Sequence, residues 1–360
     1  MSTRSVVPFG PQHPVLPEPI HLDLVLEDEK VVEAVPSIGF IHRGLEKLVE
    51  KKDFNEYTYV AERICGICSY MHGMAYCEAV EHIMNVEIPE RAKYLRTIWC
   101  EMSRIHSHLL WLGLLADAFG FESLFYQSWR MREKMLDMIE ASTGGRVIFS
   151  VNKIGGQLKD MPKDMLNDFV KQIDGMEVEL RELTKTFLGD YAVESRLRNV
   201  GFLTAQQAHD LGSVGPFMRA SGIALDMRKT GYAAYPNIDF EIITSTVGDS
   251  YARTDVRIRE IFQSMDIIRQ AVAKIPDGEI ATPVKGFPQA GEYFMRVEQP
   301  RGEAVYYVKA NGTKFLDRVR VRTPTFANIP ALLETLKGCQ FADVPILVLT
   351  IDPCISCTER

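Results

Sequence analysis

The sequence predicts an α+β fold: a central bundle of long helices flanked by small β-sheets drawn from the N- and C-terminal regions. Three observations point there. Apolar residues recur at helical spacing through the middle of the chain, and period-two alternation belongs to the end regions. Two Cys-x-x-C pairs also lie almost a full chain length apart, Cys65/Cys68 in Arg63-Ile-Cys-Gly-Ile-Cys68 and Cys354/Cys357 in Asp352-Pro-Cys-Ile-Ser-Cys357. Four thiolates from such distant segments close around one soft metal only if the fold brings the two ends together. Residues 1–360 therefore read as a single domain.

The opening segment is proline-rich (Pro8, Pro11, Pro14, Pro17, Pro19) and reads as extended. Ile20, Leu22, Leu24 and Leu26 then alternate with His21, Asp23 and Glu27, the pattern of a half-buried strand. Asp28-Glu29 marks a turn into a second strand over residues 31–35. Residues 39–52 read as helical after Gly44. From Pro89, a residue suited to a first helical turn, Leu95, Ile98, Trp99, Met102, Ile105, Leu109 and Leu112 mark a long helix. A second stripe covers residues 124–139 and stops at Gly144-Gly145, a third covers 166–187, and a fourth helix spans 255–275. After Pro283, short β-like runs return at 293–297, 304–309 and 346–349. No internal repeat or low-complexity linker divides the chain.

The 360 residues are 46% hydrophobic and 25% charged, enough for a sizeable core. A formal charge of −7 and a pI near 5.7 weigh against a nucleic-acid partner, which favours a basic surface. No run approaches the ~18 apolar residues of a membrane span; the best, 109–121, is short and carries Asp117. The Met-Ser-Thr-Arg-Ser start lacks the apolar core of a signal peptide, so a cytoplasmic chain is expected. Seven cysteines in so long a chain do not read as a disulfide scaffold. Cys77, Cys100 and Cys339 are scattered among apolar neighbours and read as small buried hydrophobes.

The two cysteine pairs allow more than one chemistry. Paired Cys-x-x-C motifs make structural zinc sites, but such modules usually hold their pairs within about twenty residues of each other. A thioredoxin-like redox pair opens a helix after a strand, and neither pair here follows a recognisable strand. His72 stands four residues after Cys68. With that histidine, the paired signature resembles that of nickel–iron hydrogenase large subunits, and further family positions match in order along essentially the whole chain. The resemblance implies the large-subunit fold and reversible splitting of dihydrogen. Cys65 and Cys354 would be terminal nickel ligands, with Cys68 and Cys357 bridging nickel to an iron that carries carbon monoxide and cyanide. Thiolates are soft donors that suit such a centre. Dihydrogen is a very weak acid, so its heterolysis needs a Lewis acid and a nearby base. A terminal thiolate serves as first base, but other groups must carry the proton away.

The resemblance also assigns those groups. Glu18 falls where the family has its proton-gate glutamate, and Glu46, in Arg43-Gly-Leu-Glu46, matches an Arg-Gly-x-Glu motif as an acid outside the ligand set. His72 and His108 match histidines that orient the cluster; for His108 the alternative is a satisfied core histidine, and His106 lies on the same helix. Arg301 in Gln-Pro-Arg-Gly302, and Pro324-Thr325, match segments around the cyanide ligands, whose nitrogens accept hydrogen bonds from guanidinium or hydroxyl groups. Asp352 would complete the surroundings of that arginine. Asp53 falls where some relatives bind magnesium through a glutamate, and reads equally as a surface acid.

The chain departs from the best-known members in ways that narrow the subgroup. It is short beside the soluble and periplasmic types, as is the membrane-bound energy-converting (Ech-like) group. Arg360 stands where longer members carry a metal-binding histidine, and an arginine that stays protonated is a poor ligand, which weighs against magnesium. Trp111 replaces an aspartate that follows the histidine pair. Gly10-Pro-Gln-His-Pro14 resembles the quinone-site loop of the complex I 49 kDa-type subunit, which has lost the nickel-binding cysteines kept here. The spare cysteines are too scattered for a 4Fe–4S cluster. The resemblance therefore implies a small subunit carrying that cluster, a ferredoxin-type electron-transfer subunit and separate integral membrane subunits that translocate ions. This chain would be peripheral, on the cytoplasmic side of the membrane. The competing reading is a non-catalytic, complex I-like coupling or assembly subunit with structural zinc.

Overall fold

A computed structural model describes residues 4–360. The strands β1 (Arg4–Phe9), β2 (His21–Glu27) and β3 (Lys30–Ser37) form an antiparallel sheet in that order. Leu22, Leu24 and Leu26 share its buried face, as period-two alternation requires. Fully burying each contributes roughly 1.5–3 kcal/mol. Asp28 turns the chain into β3 at φ 57, a left-handed conformation that aspartate tolerates. The helix expected after Gly44 is only a single 3₁₀ turn, Lys47–Glu50. The polar groups of residues 39–46 bond instead to the cysteine segments and to residues near the far end of the chain.

The helices α1 (Tyr57–Glu62) and α2 (Ser69–Met84) follow, then α3 (Glu90–Ala118) and α4 (Glu122–Thr143). Pro89 caps α3, one residue outside the position expected for it. Gly144 ends α4 at φ 82, a conformation that costs glycine little. The two-residue strands β4 (Asn152–Lys153) and β5 (Gly156–Gln157) pair before α5 (Lys163–Gly189). Three short helices, α6 (Tyr191–Leu197), α7 (Ala205–Asp210) and α8 (Gly215–Arg219), lead to α9 (Ser250–Lys274). This last helix starts ahead of its apolar stripe because the Asp249 carboxylate accepts from Ala252 N and caps it. A second antiparallel sheet contains β6 (Gly291–Gln299), β7 (Gly302–Ala310) and β8 (Leu316–Arg322). The chain closes with α10 (Pro324–Leu336), α11 (Val344–Thr350) and α12 (Ile355–Glu359). The run at 346–349, expected as a strand, belongs to α11. Its apolar residues are buried without any periodicity, and Pro345 begins it as a helix.

The long helices form the predicted bundle, with α3 lying along α4 and α9 and with α2 packed beneath β6 and β7. Arg96 of α3, fully buried, forks onto Glu81 of α2 at 2.7 and 2.8 Å and reaches Glu78 at 3.3 Å. Burial raises Glu78 to about 7 although Arg96 pulls the other way. The unfolded carboxyl keeps its ordinary value, so the stabilising contribution is complete below about 4.5 and is lost as pH rises through about 7. Glu78→Gln should therefore narrow the fall in urea-unfolding midpoint between about pH 5 and about pH 8. An unchanged fall would show that Glu78 is not the group responsible.

Candidate metal centre

The two cysteine pairs occupy equivalent places. Cys65 and Cys68 lie between α1 and α2 with Cys68 at the N-cap of α2, and Cys354 is the N-cap of α12 just after α11. Each pair opens a helix, but after another helix and not a strand. Such turns expose amides that no helical carbonyl satisfies, and Ile67 N and Cys68 N donate to Cys65 Sγ at 3.2 and 3.3 Å.

All four thiols are buried. Cys65 Sγ lies 3.4 Å from Cys354 Sγ, and Cys68 Sγ lies 3.6 Å from Cys357 Sγ. The sulfurs of Cys65, Cys68 and Cys357 all lie within 4.8 Å of one another. A disulfide requires about 2.05 Å. Sulfurs around a tetrahedral metal with ~2.3 Å bonds stand about 3.8 Å apart. The donor set therefore fits a soft metal held by thiolates. Burial opposes ionisation, yet hydrogen bonds from Cys357 and Cys65 hold the Cys68 thiol down to about 6. Burial pushes the Cys357 thiol up.

Glu18, half-buried, reaches the second pair from the segment before β2. The Cys354 thiol faces its Oε1 at 3.8 Å, while its Oε2 accepts from Ser356 N at 2.8 Å and from Ile355 N. Burial raises this carboxyl to about 7, and the charge on Cys354 adds to the effect. On the other side His72 places Nε2 at 3.4 Å from Cys357 Sγ and Nδ1 at 2.5 Å from Tyr306 Oη. Burial lowers its pKa to about 3, which keeps the ring neutral.

Arg301 stands at the two-residue tip of the β6–β7 hairpin. That tip is seated in the interior because Gly302 backs onto Gly215, where a Cβ would lie 2.3 Å from the Gly302 Cα. Arg301 donates from Nε to Asp352 O at 2.7 Å, from Nη2 to Asp352 Oδ1 at 2.8 Å and from Nη1 to Ser107 Oγ at 3.4 Å. Burial works against its charge, but Asp352 and Cys354 hold it protonated. Pro324 and Thr325 open α10, and Thr325 Oγ1 accepts from Cys354 N at 3.2 Å.

Other expected residues make different contacts. His108 Nε2 pairs with Glu260 at 3.1 Å, inside a buried ionic network in which Arg219 joins Glu260 and Glu298 at 2.8 and 2.7 Å. His106 Nε2 instead meets the Ile67 carbonyl, within the first cysteine turn, at 2.9 Å. Trp111 donates to Leu349 O at 2.7 Å. Glu46 is bound by Arg320 and Arg360, both at 2.9 Å. Asp53 accepts from Asn55 N at 2.9 Å in an exposed local turn.

Three residues that no sequence motif of metal ligands singles out also shape the centre. Arg43 donates from Nη1 to Arg63 O at 2.8 Å and from Nη2 to Ile64 O at 2.7 Å and Ser356 O at 3.0 Å, tying both cysteine segments together. The Cys68 thiol faces Gln299 Oε1 at 3.7 Å, and Tyr306 supports His72. For Arg43, the Arg-Gly-x-Glu motif itself was the available signal.

The chain is similar to known hydrogenase and respiratory-complex subunits. A family model described as the respiratory-chain NADH dehydrogenase 49 kDa subunit matches residues 118–287 and 284–360, and one described as nickel-dependent hydrogenase matches residues 43–117. The carbon monoxide-induced hydrogenase of Rhodospirillum rubrum is 40% identical, over 100% of both chains. The membrane-bound hydrogenase subunit alpha of Pyrococcus furiosus is 36% identical, across 98% of this chain and 87% of its own. A chain from the membrane-bound sulfane sulfur reductase, an archaeal respiratory membrane complex, aligns with a TM-score of 0.94 at 30% identity, covering 99% of this chain and 98% of its own.

Proposed function

The chain belongs to the oxidoreductase family of nickel-dependent hydrogenases and respiratory-chain 49 kDa subunits, and from that premise we propose that it is the catalytic subunit of an energy-converting nickel–iron hydrogenase. Its work would be reversible cleavage of dihydrogen, coupled to ferredoxin redox chemistry and to ion translocation by partner subunits. The observation that carries this reading is the quartet of thiols with a half-buried carboxyl group 3.8 Å from one of its sulfurs. A purely structural metal site has use for the sulfurs and for the cap that Glu18 Oε2 gives Ile355 N and Ser356 N, but none for a second carboxyl oxygen turned to a sulfur.

When bound, a nickel–iron centre bearing carbon monoxide and cyanide supplies the Lewis acidity and the electron-accepting capacity that turn dihydrogen into two protons and two electrons. In this reading the thiolates of Cys65, Cys68, Cys354 and Cys357 would together hold that centre. Cys354 Sγ takes the first proton, and Glu18 Oε1 receives it from that sulfur. A carboxyl group poised near 7 both accepts and releases protons at neutral pH. Arg301, charged and fixed by Asp352, and the hydroxyl of Thr325 beside Pro324 offer donors to anionic ligands. Neutral His72 fixes Cys357. His108 acts at a distance, since the network holding it reaches the hairpin that carries Arg301: Arg104 donates to Glu298 O and Gln299 O at 2.8 and 3.1 Å.

The partners in this reading are a small subunit with a 4Fe–4S cluster, a ferredoxin-type subunit and membrane subunits. Cys77 and Cys100 are engaged elsewhere, with Thr58 Oγ1 at 3.7 Å and Met74 Sδ at 3.4 Å, which accords with a cluster held by the small subunit. No helix among the described residues is long and apolar enough to cross a membrane; in this reading separate subunits translocate ions, and this chain sits peripherally on the cytoplasmic side. Residues 1–360 act as one domain, since the quartet joins both ends. Metal analysis of the purified complex tests the reading: near-stoichiometric nickel and iron per chain is expected, whereas zinc alone would favour a non-catalytic coupling subunit.

A further inference from the structure

We infer that the guanidinium groups of Arg360 and Arg320 hold Glu46 in a metal-independent clasp that positions the segment carrying Cys354 and Cys357. This deepens the proposed function by naming positioning residues of the same centre.

Magnesium demands a nearly octahedral set of oxygens at about 2.0–2.1 Å. Both oxygens of the Glu46 carboxylate are already engaged by donors. Its Oε2 accepts from Arg320 Nη1 at 2.9 Å, and its Oε1 accepts from Arg360 Nε and from Val321 N, each at 2.9 Å. One carboxylate flanked by two guanidinium groups is already locally positive, so a divalent ion would meet repulsion there. The Glu359 carboxylate, on the same cleft, is likewise committed, accepting from Gly39 N at 2.7 Å and from Ile41 N. Asp53, the acid that the family resemblance offered to magnesium, serves only its local turn with Asn55. The residues present do not fit that ion.

The same contacts explain what the clasp does. Arg360 Nη1 donates to Thr358 O at 2.8 Å, and its guanidinium lies 5.6 Å from the Phe326 ring centroid. Its side chain is only 13% exposed and that of Glu46 16%, so the pair is partly withheld from solvent. His42 meets Glu359 O, and Arg43 donates to Ser356 O. Residues 39–46 thereby grip residues 356–360 at successive points, with Cys357 inside the grip. Arg360 and Glu46 act through that segment and not on reacting atoms.

The test uses the intact complex and two readings that do not involve nickel: bound magnesium and amide hydrogen exchange across residues 354–360, each with and without EDTA. The wild type should carry no bound magnesium, and EDTA should leave exchange unchanged. Arg360→Ala should speed exchange in that segment about tenfold, the scale of a lost charge-assisted hydrogen bond. Arg360→Lys, which keeps a cation, should restore most of the protection. If Arg360→Ala does not assemble, Glu46→Gln should give the same acceleration. One magnesium per chain that EDTA removes together with the protection would overturn the inference, as would unchanged exchange in the Ala variant or, in its place, Glu46→Gln. Failure to find nickel would count against the hydrogenase reading and leave the clasp standing.

Discussion

Serine in place of Cys65 or Cys354 should abolish nickel retention and reduce dihydrogen turnover to background. The two sulfurs lie 3.4 Å apart in a fully enclosed site. Serine nearly preserves the volume, so the fold should survive, with a cost limited to about 1–3 kcal/mol for burying a poorly paired hydroxyl. The chemistry does not survive, because a hydroxyl is a hard donor that scarcely ionises near neutral pH, whereas thiolates bind soft metals readily. Nickel content by elemental analysis and gas-exchange assays on the same preparation check the result. Either variant retaining nickel and full turnover would remove that cysteine from the ligand set.

Glu18→Gln should leave nickel and iron in place while turnover falls by roughly 10²–10⁴, the range for loss of a positioned acid–base group. Glutamine keeps one oxygen to accept from Ile355 N and Ser356 N, as Glu18 Oε2 does. The folding role of the side chain is thus largely conserved. Its amide, facing Cys354 Sγ, cannot accept a proton and pass it on. Exchange between deuterium gas and solvent protons should collapse, while para/ortho hydrogen conversion, which needs no proton exit, should survive better. Glu18→Asp should retain part of the activity, limited by its shorter reach. Solvent exchange at the wild-type rate in Glu18→Gln would reduce Glu18 to a structural cap of α12.

Much of the fold was legible because burial is one-sided where periodicity was read. In α5 the buried set Leu166, Phe169, Ile173, Met176, Leu180, Leu183 and Phe187 lies on one face of an otherwise polar helix. By contrast α2 is buried on every side from Ser69 to Glu81, so no stripe marked it, and α11 offered a short apolar run that fits a strand as well as a helix. At the centre, fixed Cys-x-x-C spacings made the thiols visible. The choice between His106 and His108 was not visible, since residues two apart on a helix point to nearly opposite sides. Only the packed structure decides which of them meets the first cysteine turn. Gln299 and Tyr306 escaped for a related reason: their contacts are side chains distant in sequence, of which composition carries no trace.

The most direct measurement of the central claim is an infrared spectrum of the purified complex. Stretching bands of carbon monoxide and cyanide bound to iron are expected in the wild-type protein, retained in Glu18→Gln and lost in Cys354→Ser. A wild-type complex that splits no dihydrogen, shows no such bands and carries zinc on the four thiolates would contradict that claim.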